Sequence, residues 1–204
     1  MGIVERKERE KEEMKLRILN AARKLFLEQG FEKTSIRNIA EAIEYSPGTI
    51  YLYYKDKNEL LFALHQESFL GLIESFEPII AIQEPFEQLV AMGQQYLKYA
   101  IENPELYDLM FMMTAPIDCL ECRDDIWEDG HTALNMLNMI LSRCQGAGYF
   151  VEQDLESLSL AVWATVHGLA ALHLRKRTLM FAEAERIPRI EKAFETLTKM
   201  LKKL

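Results

Sequence analysis

Residues 45–60 read YSPGTIYLYYKDKNEL, with four tyrosines in ten residues, a proline beside a glycine, and two lysines just beyond. The hydroxyls of Tyr45 and Tyr53 and the ammonium of Lys57 suit phosphate oxygens, and Ser46 is small. Thr49 carries a hydroxyl and a methyl, which suit a base edge or a thymine methyl. Gly48 has no Cβ to keep its backbone away from a DNA strand, and Pro47 is small. These types in this order make a surface for double-stranded nucleic acid rather than a reaction centre.

The other chemistry-bearing residues are sparser. Cys119-Leu120-Glu121-Cys122 is a lone cysteine pair. Zinc wants four ligands, and only Cys144, His131 and nearby carboxylates could complete the set. A thioredoxin-type motif needs a strand–helix setting that this chain lacks. No nucleophile–base spacing stands out. No catalytic residue, metal or cofactor is therefore assigned. An all-helical enzyme, or a thiol or metal switch built on Cys119, Cys122 and His131, is the alternative from a different class.

The elements that must position the tyrosine segment are helical. Ile18, Leu19, Ala22, Leu25 and Phe26 recur at helical spacing, and Gly30 stops that helix. Thr34 and Ser35 offer capping hydroxyls to a short helix whose apolar positions are Ile36, Ile39, Ala40 and Ile43. Ser46 is the expected N-cap of the next, with Pro47 at its first position and an end near Tyr54. Asp56-Lys57-Asn58-Glu59 opens a longer helix with a capping-box pattern. Helices as short as the middle two are marginal alone and must pack on the first. A long helix followed by two short ones across a tight turn is the helix-turn-helix arrangement. Ile50 is expected to point inward. Tyr51 and Tyr54, three apart, are assigned to the core and Tyr53 to phosphate. Arg37 and Asn38 suit either a DNA contact or a solvated face.

Charge separates the chain in the same way. Residues 1–65 carry twelve Lys/Arg and eleven Asp/Glu, whereas residues 66–204 carry twelve against twenty-one, so the net charge of −8 belongs to the second part. The charged N-terminus is no secretory signal, and three cysteines make no disulfide framework, which points to a reducing cytoplasm. Residues 158–174 lack Asp, Glu, Lys and Arg, but they include two histidines, a serine and a threonine. They are read as a buried helix, not a membrane span.

From Leu19 to Leu61 the chain resembles the DNA-binding domain of the tetracycline-repressor (TetR) family. The matching residues are Ala22, Phe26, Gly30, Thr34, Ile39-Ala40, Gly48, Tyr51-x-Tyr53-Tyr54, Lys57 and Leu60-Leu61. Tyr54 stands where the family usually has phenylalanine, and Tyr53 where histidine or tyrosine is usual. The resemblance implies a homodimeric transcription regulator, most often a repressor. Thr34, Tyr53 and Lys57 then take phosphate-contacting positions, and Tyr45, Pro47, Gly48 and Thr49 the recognition region. With Ser35, Arg37 and Ser46 these form the candidate DNA-binding set. A two-fold dimer implies a palindromic operator.

The expected fold is all-α, with a helix-turn-helix domain over residues 1–60 and a helical effector-binding and dimerisation domain over 61–204. Breaks are expected near Pro78, Pro85, Asn103-Pro104, Ala115-Pro116, Gly146-Ala147-Gly148 and Ile187-Pro188. Tyr107, Met110, Phe111, Met113, Met136 and Ile140 are large, adaptable side chains suited to an apolar or amphipathic small effector, or to an irregular core. Trp163-x-x-x-His167-Gly168-Leu169 is similar to a pattern in the penultimate helix of many family members. Trp163 and His167 join the candidate effector set, where His167 or His131 could meet a polar ligand group. An apolar helix must be covered all round, so Trp163, Gly168, Ala171, Phe194, Leu197 and Leu201 are assigned to a dimer interface. A DNA-binding regulator with no small ligand remains the nearer alternative.

Overall fold

Helix α1 (Ile3–Gln29) opens with a solvated stretch held by surface pairs such as Arg6–Glu10 and Lys15–Glu12. Such pairs add only a few tenths of a kcal/mol each. The computed structural model describes residues 2–113 and 128–204, and all its regular elements are helical. From Ile18 onward α1 has a buried face of Ile18, Ala22 and Phe26. Gly30, at φ 86°, ends the helix and turns Phe31 back to meet Phe26 edge-on, with ring centroids 5.2 Å apart.

The short helices follow as α2 (Ile36–Ala42) and α3 (Pro47–Tyr51). Ser35 caps α2 through a reciprocal pair with Asn38: its Oγ accepts from the Asn38 N–H, and its own N–H donates to Asn38 Oδ1 at 2.9 Å. Helix α2 closes in a Schellman turn. Tyr45 N–H donates to the Ala40 carbonyl and Glu44 N–H to the Glu41 carbonyl, with Glu44 in the left-handed region at φ 63°. Ser46 caps α3 by accepting from the Thr49 N–H, and Pro47 takes the first helical position. Helix α3 ends at Tyr51, earlier than the sequence pattern suggests.

Helix α4 (Lys57–Ser75) starts with Asp56 Oδ1 accepting from the Glu59 N–H. The reciprocal carboxylate bond goes to the Lys55 N–H rather than to Asp56. Ile39, Ala40, Ile43, Ile50, Tyr54, Leu60, Leu61 and Leu64 join the α1 face in one apolar cluster. The chain forms two compact units. The first holds residues up to Ser68 together with residues 108–113 of the described chain; the second holds Phe69–Tyr107 and residues 128–204. The boundary expected at residues 60/61 therefore falls inside α4.

In the second unit a 3-10 turn (Glu77–Ala81) precedes α5 (Pro85–Glu102); α6 (Pro104–Phe111) starts there, and its last residues, 108–111, group with the first unit. Then come α7 (Glu128–Gly146), α8 (Leu155–Leu174) and α9 (Glu183–Leu201). Helix α5 is central and packs against α7 and α8, while α8 also packs against α7 and α9. Two glycines allow close approach. A Cβ on Gly93 would lie 2.6 Å from the Phe194 ring, and one on Gly71 would lie 2.8 Å from the Tyr99 hydroxyl. Pro188 does not break the chain, contrary to expectation. It lies inside α9, which forgoes one amide donor there. The break expected at Ala115-Pro116 lies outside the described residues.

Helix α8 is long and apolar enough to cross a membrane by length and composition alone. It is not covered all round. Leu158, Val162, Val166 and Ala170 are buried, while Leu160, Ala161, Ala164, Thr165 and Leu172 are exposed.

His65 on α4 is buried and hydrogen-bonded to the Met110 backbone, and burial pulls its pKa down to about 4. The fold thus favours neutral imidazole, whose ordinary pKa is about 6.5. His65 supports full stability above about pH 6.5 and progressively withdraws it as pH falls toward 4, by at most about 3 kcal/mol. Urea titrations from pH 7 to 5 should therefore show a loss roughly 2 kcal/mol larger in the unaltered protein than in His65→Gln. Equal losses would remove His65 as the source.

Candidate nucleic-acid interface and effector site

The tyrosine segment divides by burial. Ile50 is fully buried and Tyr54 is 7% exposed, so both anchor α3 to the core beneath it. Tyr51 is 56% exposed and Leu52 80% exposed. The assignment of Tyr51 to the core is thus corrected. A shared face for residues three apart needs a continuing helix, and α3 stops at Tyr51. Tyr53 is half-buried and packs partly on the apolar cluster. Gly48 is exposed, and a Cβ there would meet only the Ser46 hydroxyl, at 3.6 Å. Thr49 is half-buried, with its Oγ1 3.2 Å from Ser46 Oγ.

Tyr45, at the turn between α2 and α3, is 41% exposed, with the Arg17 guanidinium 5.4 Å above its ring. The cation stacks on the negative face of the aromatic system and restrains the ring. Lys57 is also engaged: its Nζ donates to the Phe31 carbonyl at 2.7 Å and lies 4.1 Å from the centroid of the Phe31 ring. An ammonium has three donors, so this contact holds the cation in place and leaves capacity for an anion. Ser35 and Arg37 are exposed on α2.

Thr34 does not fit its expected role. It is 1% exposed, and its hydroxyl donates to the Gly30 and Leu25 carbonyls. It ties the turn after α1 back onto the helix end, a structural need that sequence pattern does not separate from phosphate contact. Tyr51 and Leu52 are the interface candidates that sequence reasoning missed. Their signal was present: a large apolar residue beside Tyr51, in a helix too short to bury both.

The candidate effector residues also divide. Met110, Phe111 and Met113 group with the first unit, where Met113 packs partly on the helix-turn-helix core. Met136 is half-buried and Ile140 buried in the second unit. Tyr107, Trp163 and His167 meet, together with Tyr96 of α5, which the sequence reading did not single out. The Trp163 Nε1–H donates to the Tyr96 hydroxyl at 3.3 Å. The hydroxyls of Tyr96 and Tyr107 lie 3.3 Å apart. His167 Nδ1 is 2.6 Å from the Tyr107 hydroxyl and 3.1 Å from that of Tyr96. Burial pushes the Tyr96 phenol up to about 12 and the Tyr107 phenol higher still, and it lowers the His167 imidazole. All three are therefore neutral near pH 7.

Two expected dimer residues belong to the protomer itself. Phe194 is buried against Gly93, and Leu201 is buried on the same inward face of α9. The amphipathic stripe of α9 faces its own bundle, because one apolar face can be covered by neighbouring helices before any second copy arrives. Trp163 is likewise held by Tyr96. Leu197 and Ala171 are half-buried, and a Cβ on Gly168 would meet nothing within 4 Å.

Among the described residues no three His, Cys, Asp or Glu side chains gather as metal ligands. Cys119 and Cys122 lie outside the described residues, and His131 is exposed. Cys144 is buried, which raises its thiol to about 11 and suppresses the reactive thiolate.

Comparison with known proteins agrees with this division. Residues 18–64 match the model for bacterial regulatory proteins of the tetR family, and residues 89–201 match that for the tetracyclin repressor-like C-terminal domain. The HTH-type transcriptional regulator HbdR of Aromatoleum sp. (strain CIB) is 30% identical over 165 residues, spanning 79% of this chain and 71% of that protein. The transcriptional regulator FadR of Bacillus subtilis, solved in complex with stearoyl-CoA, shares the fold with a TM-score of 0.73 at 20% identity, over 90% of this chain and 97% of that one. The fatty acid degradation regulator FadR of Bacillus halodurans superposes with a TM-score of 0.72 at 18% identity, over 92% and 94%. With a capped helix-turn-helix at one end and a helical C-terminal domain matched along its length, the chain belongs to the TetR family of bacterial transcriptional regulators.

Proposed function

We propose that the protein is a homodimeric repressor that binds a palindromic operator and is released from it by a small, largely apolar effector. The observation that carries the DNA reading is the split of α3, with Ile50 and Tyr54 sealed below and Gly48, Tyr51 and Leu52 open above. Such a helix presents its small N-terminal residues to base edges and its flanking hydroxyls and cations to phosphates. Ser35, Arg37, Tyr45, Ser46, Pro47, Thr49, Tyr53 and Lys57 fill the same surface, and Thr34 supports it from below. Action on bacterial DNA supports a cytoplasmic location.

Dimerisation is supported by the uncovered stripe on α8. A glycine inside a helix costs about 1 kcal/mol relative to alanine, and among the described residues a Cβ at Gly168 would meet nothing within 4 Å. A second α8 packing on Leu160, Ala164, Gly168 and Leu172 explains the residue and covers the stripe. The two recognition helices of such a dimer must lie about 34–36 Å apart to enter successive major grooves. An effector that favours a different spacing weakens binding by its differential affinity for the two states. The effector reading is supported by the polar cluster around His167 within an apolar bundle, and by the acyl-CoA held in a relative of the same fold.

Four tests follow from these surfaces. Tyr51→Ala and Leu52→Ala should leave unfolding free energy within about 0.5 kcal/mol of the parent while weakening operator binding, whereas Tyr54→Ala should cost roughly 3 kcal/mol of stability. Lys57→Ala should lower both stability and the salt slope of binding, by about one unit per half-site for the slope. An unchanged operator affinity in Tyr51→Ala and Leu52→Ala would remove α3 from the interface.

Gly168→Leu should give monomers by sedimentation without loss of helicity, and these should bind DNA poorly. A stable dimer in that variant would place the interface elsewhere. Finally, mobility shifts with DNA flanking its own gene should be reversed by long-chain acyl esters. Retention of full operator affinity at saturating effector would leave a regulator without a small ligand.

A further inference from the structure

The cations of α1 fall into two groups. Those of its solvated opening are matched by carboxylates one turn away, as in Arg6–Glu10, Arg9–Glu13, Lys11–Glu8 and Lys15–Glu12. Charges of opposite sign cancel along that stretch and leave little field for a polyanion. Arg17 is placed differently. The residues one turn to either side of it are Glu13, which is paired with Arg9 at 3.6 Å, and the uncharged Met14, Asn20 and Ala21. Arg17 is exposed, and among the described residues it has no ion-pair partner.

Its guanidinium lies instead over the Tyr45 ring, 5.4 Å from the centroid. That attraction comes from the electron density of the ring face and consumes no hydrogen-bond acceptor. The five N–H donors of the fork stay available for a planar or tetrahedral anion. Tyr45 fixes where the fork stands. Its own N–H closes the turn after α2 on the Ala40 carbonyl, and it comes immediately before Ser46, the cap of α3. Arg17 is thereby held beside the N-terminal approach to α3. In the chain a second cation follows α3 and is held in the same manner: Lys57 Nζ lies 4.1 Å from the centroid of the Phe31 ring. A helix that enters the major groove by its N-terminus runs between two phosphodiester strands, and groups flanking it face one strand or the other.

Resting on the DNA reading above, we propose that the DNA interface extends from α2 and α3 to the first helix. The Arg17 guanidinium clamps a backbone phosphate through its fork, a different phosphate from the one met by Lys57. Tyr45 is the positioning residue that holds the guanidinium in place. The contact carries no sequence information, because every phosphate presents the same pair of oxygens.

The test uses the full-length protein and two duplexes, one with the sequence flanking its own gene and one with that sequence scrambled, titrated from about 0.05 to 0.2 M salt. Arg17→Gln should weaken binding to both duplexes by the same factor and lower the salt slope by about one unit per half-site. Combined with Lys57→Ala, the two losses of slope should add. Arg17→Lys keeps the charge without the fork, so it should keep the slope while binding about threefold more weakly. In a Tyr45→Ala background the change Arg17→Gln should cost roughly threefold less than in the parent. An unaltered slope in Arg17→Gln overturns the proposal and leaves the DNA reading standing, whatever happens to stability. A loss confined to the unscrambled duplex does the same, since it makes Arg17 a reader of bases. Equal costs with and without the Tyr45 ring overturn the positioning role. A slope in Arg17→Lys well below the parent's also overturns the proposal, so misfolding of Arg17→Gln cannot rescue it. A parent that binds neither duplex overturns both readings.

Discussion

Burial of one apolar cluster governs the DNA-binding end of this molecule. Helices of seven and five residues have too few internal hydrogen bonds to offset the entropy of nucleation. What holds α2 and α3 is the closure of Ile39, Ala40, Ile43 and Ile50 onto Ile18, Ala22 and Phe26, with Leu60, Leu61 and Leu64 completing the enclosure. Each such side chain contributes roughly 1.5–3 kcal/mol on leaving water. The exposed surface of α3 is the remainder: whatever the helix does not commit to that cluster stays outside. Several polar groups around it serve the same closure. Thr34 ties the turn after α1 back onto the helix end, Lys57 is pinned to Phe31, and Ser35 and Ser46 cap the helices they precede.

The second unit works under a different constraint. Its bundle is apolar enough that any polar side chain inside must find a partner, since an unmet buried hydroxyl or N–H costs about 1–3 kcal/mol. Tyr96, Tyr107, Trp163 and His167 meet that requirement together, from three helices. Such a group ties α5, α6 and α8 together within the unit. Gly93 and Gly71 set helix spacing by steric contact. Gly168 is unlike them: among the described residues a Cβ there would meet nothing within 4 Å.

Sequence alone was sufficient wherever local chemistry dominates. The start of α2 at Ser35, the Ser46 cap with Pro47 behind it, the stop at Gly30 and the inward position of Ile50 all follow from groups a few residues apart. The helix-turn-helix, the all-helical class and the family were legible for the same reason: capping groups, apolar periodicity and breaker residues act over a single turn. Only the tertiary structure decided which apolar or hydroxyl side chain is consumed. Tyr51 is open and Tyr54 closed because α3 stops after five residues. Phe194 turns inward where α5 offers Gly93 for the phenyl ring to rest on, and Leu201 is buried on the same face of α9. Tyr96 and His167 meet across 71 residues of sequence. Periodicity states that a side chain shares a face, but the identity of what covers that face is set by chain segments far away, and no local pattern records it.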